Sequence, residues 1–312
     1  MTSFEKLTGI IPPVSTPFNE EHEVDIPSLE RLLEFLLSAG VDGLFMLGST
    51  SETAFLTDRQ RSTILDVAVR VAGQRVPVLA GVIDSQTDRV LDHARAARRA
   101  GVDGLVVTPP YYARVSQAEV VEHFRYLHQA VDLPLLAYDI PVAVQLKMEA
   151  ETILQMAREK LIVGLKDSSG DEGNFRGIVL SSRNYPGFSV FTGSELLVDA
   201  LLFTGADGCV PGLGNVDPHG YVRLYRAARA GNWEAARQEQ ERLYRLFSII
   251  RAGTPGRMGF TASALGGFKT ALMLRGVIST NVMGRPMTRY NPAEVARVRA
   301  LLAEAGLLAE QE

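Results

Sequence analysis

Several things are scarce in this sequence, and each scarcity excludes something. There is one cysteine, Cys209, in 312 residues, so no internal disulfide can form and a reducing, cytoplasmic compartment is expected. No stretch approaches ~18 uninterrupted apolar residues, and Met1-Thr-Ser-Phe-Glu-Lys carries no apolar signal segment; a soluble, unexported chain without a membrane partner is expected. The five histidines, His22, His93, His123, His128 and His219, show no zinc spacing, since even His123 and His128 fall on opposite sides of the helix expected there. No metal cofactor is expected. A net charge of −4 and a pI near 5.8 leave no basic excess for nucleic acid. No linker rich in Pro, Gly or Ser divides the chain.

What is present is an ordinary globular composition, 46% hydrophobic and 22% charged, enough for a sizeable core. Three segments repeat one phrase: "SAGVDGLFMLG" from Ser38, "RAGVDGLVVTPP" from Arg99 and "TGADGCVPG" from Thr204. In each, a helix ends at a glycine suited to a C-cap and an apolar strand begins after a tight turn. Gly40 and Gly101 lie 61 residues apart and Gly205 lies 104 further on. With strand-helix units of roughly 25–31 residues, those gaps are two units and four.

Strands are expected where that count needs them: from Thr8, Gly43, Val76, Gly104, Leu133, Leu161, Phe188 and Asp207. Amphipathic stretches lie between them, including 26–39, 58–72, 88–100, 117–130 and 148–160. Strict alternation means a parallel sheet, and eight units suggest a (β/α)8 TIM barrel. An open doubly wound sheet competes, but no G-x-G-x-x-G follows the first strand. Further helices are expected at 218–230, 233–251, 261–275 and 292–305. Residues 1–230 are read as the barrel and 231–312 as a C-terminal helical extension of the same domain.

Barrels of this kind carry their chemistry at the C-terminal ends of the strands. There the sequence places Gly48-Ser49-Thr50-Ser51-Glu52, Tyr111 and Tyr112, Tyr138 to Pro141, Lys166, Gly193-Ser194-Glu195 and Pro211-Gly212. By alternation, Ile162, Gly164 and Lys166 share one face, and Pro134, Leu136 and Tyr138 another. A glycine at 164 fits a crowded axis, so Lys166 is placed pointing inward beside Tyr138. A desolvated lysine is a neutral nucleophile and condenses with a ketone to an iminium ion that withdraws electrons from the adjacent carbon. A phenol beside it can carry protons, and the backbone N–H groups at Ser49 and Thr50, near the start of the second helix, suit a carboxylate. Taken singly, such a lysine is more often a solvated turn residue, such a tyrosine packing, and such a hydroxyl cluster a helix cap, with Ser51 or Thr57 as candidates. Convergence at one end of one barrel carries the reading of a Schiff-base enzyme acting on a 2-keto acid.

These residues resemble the dihydrodipicolinate synthase and N-acetylneuraminate lyase family of class I aldolases and lyases, from "GIIPPVSTPF" at Gly9 to "GFKTALMLRG" at Gly267. Three motifs carry the likeness in order: Gly48-Ser49-Thr50-Ser51-Glu52, Tyr138-Asp139-Ile140-Pro141 and Gly164-Leu165-Lys166-Asp167. The resemblance implies that Lys166 forms an imine with pyruvate or a similar 2-keto acid. It makes Tyr138 the acid/base, relayed through Thr50 to a Tyr112 offered across a subunit interface. Gly48, Ser49 and Thr50 would hold the carboxylate, Gly193 and Val210 would supply backbone contacts, and Glu195 would contact substrate. A homotetramer built as a dimer of dimers is implied, with no cofactor beyond the covalent imine.

Departures bear on the substrate. Synthases of the family carry arginine two residues after the proline of Y-x-x-P, where this chain has Ala143. Sialic acid lyases present an Asp-Glu pair where this chain has Ser194-Glu195, and Ser51 replaces the usual glycine of the first motif. With a hydrophobic flank expected at Val142 and Val144, the reading is aldol cleavage or condensation of a 2-keto-3-deoxy sugar acid, or a related hydroxy keto acid, with an aldehyde partner. The alternatives are 4-hydroxy-tetrahydrodipicolinate synthase, a 2-keto-3-deoxy acid dehydratase and a non-catalytic keto-acid-binding paralogue.

Overall fold

The structure, a computed structural model, describes residues 6–308. Eight strands form one parallel sheet: β1 (Gly9–Ile10), β2 (Leu44–Met46), β3 (Val78–Gly81), β4 (Gly104–Val107), β5 (Leu135–Asp139), β6 (Gly164–Asp167), β7 (Ser189–Thr192) and β8 (Gly208–Cys209). Consecutive strands pair from β2 through to β8, and β8 pairs with β1. Between β1 and β2 the ring closes just past β1, where the Phe45 N–H donates to Pro12 and the Val14 N–H to Phe45, at 3.1 and 2.8 Å. Pro12 and Pro13 have no N–H for a ladder, which is why β1 is shorter than its apolar run. The result is the (β/α)8 barrel that the strand count implied.

Helices wrap the ring in chain order: α1 (Ile26–Ser38), α2 (Asp58–Ala72), α3 (Thr87–Ala100), α4 (Gln117–Ala130), α5 (Pro141–Val144), α6 (Ala150–Arg158), α7 (Glu172–Ser182), α8 (Val198–Phe203) and α9 (Pro218–Arg229). Then come α10 (Trp233–Leu246), α11 (Phe260–Leu274) and α12 (Pro292–Glu304). The stretch expected as one helix over 233–251 is α10 followed by a 3-10 turn, Phe247–Arg251. No described helix is long and apolar enough to cross a membrane.

The repeated phrase has a structural function in each copy. Gly40, Gly101 and Gly205 have φ of +81°, +86° and +106°, the left-handed region where glycine avoids the Cβ penalty. The aspartate two residues on then reaches across to the neighbouring strand. Asp42 accepts the N–H of Ile10 at 2.8 Å, Asp103 that of Val78 at 2.7 Å, and Asp207 that of Val190 at 2.8 Å. Each pins the preceding strand, β1, β3 or β7, so the repeat marks the entries to β2, β4 and β8.

Side chains fill the barrel interior. Leu7, Ile11, Phe45, Leu79, Val106, Leu136 and Phe191 belong to one buried cluster, separate from the larger layer between sheet and helices. Gly164 belongs to this crowded axis: a Cβ there would lie 2.5 Å from the carbonyl oxygen of Ser189 and 2.7 Å from Leu136. The helices after α9 fasten the loops at the C-terminal ends of the strands. Gln240 of α10 donates to the Glu195 carbonyl at 3.0 Å and accepts from the N–H of Val198. Lys269 of α11 meets Glu52.

Candidate active site

Lys166 and Tyr138 are Cα partners in the β5–β6 ladder, and both side chains turn into the barrel at its C-terminal end. Strand alternation enforces this, because Gly164 and Leu136 sit one step below them on the same face. Lys166 is 4% exposed and Tyr138 3%. The Lys166 Nζ lies 4.0 Å from the centroid of the Tyr138 ring and 5.0 Å from that of Phe45. Among the described residues no carboxylate pairs with it. The amine is therefore sheltered by aromatic faces. Phe45 escaped the sequence reading, although its inward place on β2 follows from the same alternation that placed Lys166.

Gly48-Ser49-Thr50-Ser51-Glu52 does not open α2, which begins at Asp58 and is capped by Thr57. The motif instead makes its own 3-10 turn, Ser49–Ser51. Among the described residues no hydrogen bond takes up the N–H of Ser49 or Thr50, leaving two adjacent donors for an anion. Ser51 is fully buried; its hydroxyl donates to the Val14 carbonyl at 2.5 Å and accepts the Gly48 N–H at 3.1 Å. It stitches the loop to the end of β1. Glu52 holds the loop from the other side, ion-paired to Lys269 and accepting the Gly284 N–H at 2.6 Å.

Other expected residues divide into those gathered at the mouth and those turned away. Val210 and Phe191 join the interior cluster, as do Ile140 and Val144, with Tyr111 packed against them. The N–H groups of Gly193 and Val210 are spent on Asp167 and Thr192, at 2.7 and 2.9 Å, which leaves their carbonyls on offer. Val142 is 86% exposed rather than part of the apolar flank. Tyr112 is 93% exposed with φ of +76°, and among the described residues no hydrogen bond joins it to Thr50 or Tyr138. The Glu195 carboxylate turns under the β8 turn, accepting the Leu213 N–H at 2.7 Å and the Tyr221 hydroxyl at 3.0 Å. Burial pushes its pKa up to about 7 against those hydrogen bonds and the pull of Lys166.

The described residues bring no three His, Cys, Asp or Glu side chains together as metal ligands. Behind the sheet, Asp139 and Asp167 are buried next to Lys147. Burial raises the Asp139 carboxyl while Lys147 draws it down.

Comparison with known proteins agrees with this geometry. The Dihydrodipicolinate synthetase family model matches residues 6–305. A probable 2-dehydro-3-deoxy-D-pentonate aldolase, YjhH of Escherichia coli, is 32% identical over 80% of this chain and 84% of its own. The 4-hydroxy-tetrahydrodipicolinate synthase of Kineococcus radiotolerans is also 32% identical, over 96% and 93%. Among solved structures, YagE, a prophage protein of the dihydrodipicolinic acid synthase family from Escherichia coli in complex with pyruvate, superposes with a TM-score of 0.90 at 29% identity, covering 97% of this chain and 99% of that one. The chain belongs to the dihydrodipicolinate synthetase family and is a lyase.

Proposed function

We propose that this enzyme is a pyruvate-dependent aldolase that works through an imine on Lys166 and cleaves or forms a 2-keto-3-deoxy sugar acid. One observation carries the reading: an amine at the barrel mouth that is buried, unpaired with any carboxylate among the described residues and 4.0 Å from the centroid of a tyrosine ring. The Lys166 amine adds to the 2-keto carbon of the substrate, and loss of water from the carbinolamine gives an iminium ion. Tyr138 gives its proton to the departing carbinolamine hydroxyl and, as the phenolate, takes the proton of the C4 hydroxyl. The C3–C4 bond breaks, its electron pair passes into the iminium as an enamine, and the aldehyde leaves. Protonation of the enamine and addition of water release pyruvate and the free amine. The free N–H groups of Ser49 and Thr50 suit the carboxylate, with Gly48 setting their turn. No metal is required by this sequence of steps.

The substrate class follows from the walls. Ala143 stands where synthases of the family carry arginine, and Ile140 and Val144 turn apolar surface to the mouth. A charged aldehyde finds no arginine at that position, whereas the uncharged aldehyde from a 2-keto-3-deoxy acid needs none. The pyruvate bound in YagE and the name of YjhH support the same class. A second reading, 4-hydroxy-tetrahydrodipicolinate synthase, is favoured by the Kineococcus radiotolerans relative, which matches 96% of this chain.

Tyr112, held exposed in a strained backbone conformation, fits delivery to a neighbouring copy's relay within a homotetramer. We read the enzyme as cytoplasmic, and the helices after residue 230 as an extension of the barrel whose loops they grip. Pyruvate and borohydride, followed by digestion and peptide mass measurement, are expected to mark the peptide containing Lys166; an unmarked peptide removes the imine. A screen of 2-keto-3-deoxy acids by pyruvate release names the substrate, and turnover of aspartate semialdehyde instead selects the second reading.

A further inference from the structure

A second pair of residues stands in register behind the first. Asp139 follows Tyr138, Asp167 follows Lys166, and the two aspartates are themselves Cα partners across β5 and β6. Asp139 is fully buried and Asp167 is 4% exposed. Two buried carboxylates at adjacent strand ends repel each other and favour the protonated form of any basic group beside them. One cation reaches both. Lys147, in the turn after α5, is hydrogen-bonded and ion-paired to Asp139 and lies 3.8 Å from the Oδ2 of Asp167, an oxygen that makes no hydrogen bond.

The segment carrying Lys147 is itself held. Gln117, the first residue of α4, donates to the Lys147 carbonyl at 2.8 Å and accepts the N–H of Glu149 and the hydroxyl of Thr152. Asp171 and Glu172, at the start of α7, share a small cavity with Asp167, so the charges on that side are negative too, and α4 contributes the uncharged Gln117. With all three groups ionised, Asp139, Lys147 and Asp167 together carry one net negative charge, and the two carboxylates alone carry two.

We infer that Lys147 is a positioning residue for the chemistry at Lys166: it offsets the carboxylates that directly follow the acid/base and the nucleophile, and keeps their field from holding the amine as an unreactive ammonium ion. The inference rests on the imine reading. A merely structural Lys147 predicts lower stability and an unmoved pH profile. An electrostatic one predicts that removing a carboxylate together with the lysine restores the rate, because the charge returns to its original value.

The test is the rate at which pyruvate and borohydride mark Lys166 in the full-length protein, followed by peptide mass against pH. Lys147→Gln is expected to trap about tenfold more slowly at neutral pH, with the acid limb moved up by about one unit. Lys147→Arg is expected to keep the wild-type profile, and Asp139→Asn with Lys147→Gln to regain most of the lost rate. An unmoved limb in Lys147→Gln, or a double variant no faster than the single one, overturns the inference while the wild-type adduct leaves the imine reading intact. Absence of an adduct on the wild-type protein overturns both.

Discussion

Lys166 and Lys269 are both withdrawn from water, at 4% and 1% exposure, yet their amines keep different company. Lys269 is ion-paired to Glu52, donates to the Val282 carbonyl at 2.8 Å and sits 4.2 Å from the centroid of Phe18. Lys166 makes no ion pair among the described residues, and its amine lies over the faces of Tyr138 and Phe45. A ring face attracts a cation, but far less than a carboxylate at contact in a low dielectric. The pairing at Lys269 satisfies the amine and fastens α11 to the carboxylate loop, whereas Lys166 has no carboxylate partner among the described residues. The difference lies in the partners and not in the depth of burial.

The largest expected effect tests the unpaired member. Lys166→Ala is expected to abolish turnover and borohydride marking with a thermal midpoint near wild type; residual imine chemistry would place the nucleophile elsewhere. Next comes its neighbour: Tyr138→Phe is expected to lower kcat by about 10²–10⁴-fold while the Lys166 adduct still forms slowly. An unchanged kcat removes Tyr138 from the proton path. On the paired side, Lys269→Met leaves Glu52 buried and uncompensated, and denaturant titration is expected to show a loss of about 3–5 kcal/mol. Adding Glu52→Gln is expected to recover part of it, and no recovery would mean that the pair is not the source of the loss.

A smaller effect concerns Glu195. Its folded-state pKa is raised by burial to about 7 from an ordinary value of 4.5, so the folded protein binds the extra proton. That contribution is full below the unfolded pKa and is lost as pH rises from there through about 7. The thermal midpoint is expected to fall across this window in the wild type and to flatten in Glu195→Gln; identical slopes would show that Glu195 does not carry the titration. The smallest is Ser51→Gly, which removes one buried hydroxyl bridge and is expected to lower stability by about 1 kcal/mol and to raise the KM for the keto acid more than it lowers kcat.

The barrel was legible because its signals are local and repeated: apolar runs at regular spacing, glycine caps and strand alternation locate all eight strands and put Lys166 beside Tyr138. What was not legible depended on distance in the chain. α7 contains Gly173, Gly177 and paired serines, poor helix formers that tertiary packing overrides, and α8 is only six residues long. The aspartates of the repeated phrase looked like turn residues until their carboxylates met Ile10, Val78 and Val190. Nothing local shows that Glu195 turns under β8 toward Tyr221, or that Val142 faces outward while Val144 turns in. The role of Ser51 required the position of Val14, 37 residues away.

The packed floor formed by Phe191, Leu136 and their neighbours has a kinetic corollary. Among the described residues these side chains fill the base of the barrel, so substrate is expected to come and go at the end that carries Lys166. On the imine reading, a three-carbon fragment tethered to that amine would lie beneath the aldehyde it has just lost. The aldehyde would then depart first, and in the synthetic direction the keto acid would enter before its partner. Order of addition would follow from the architecture.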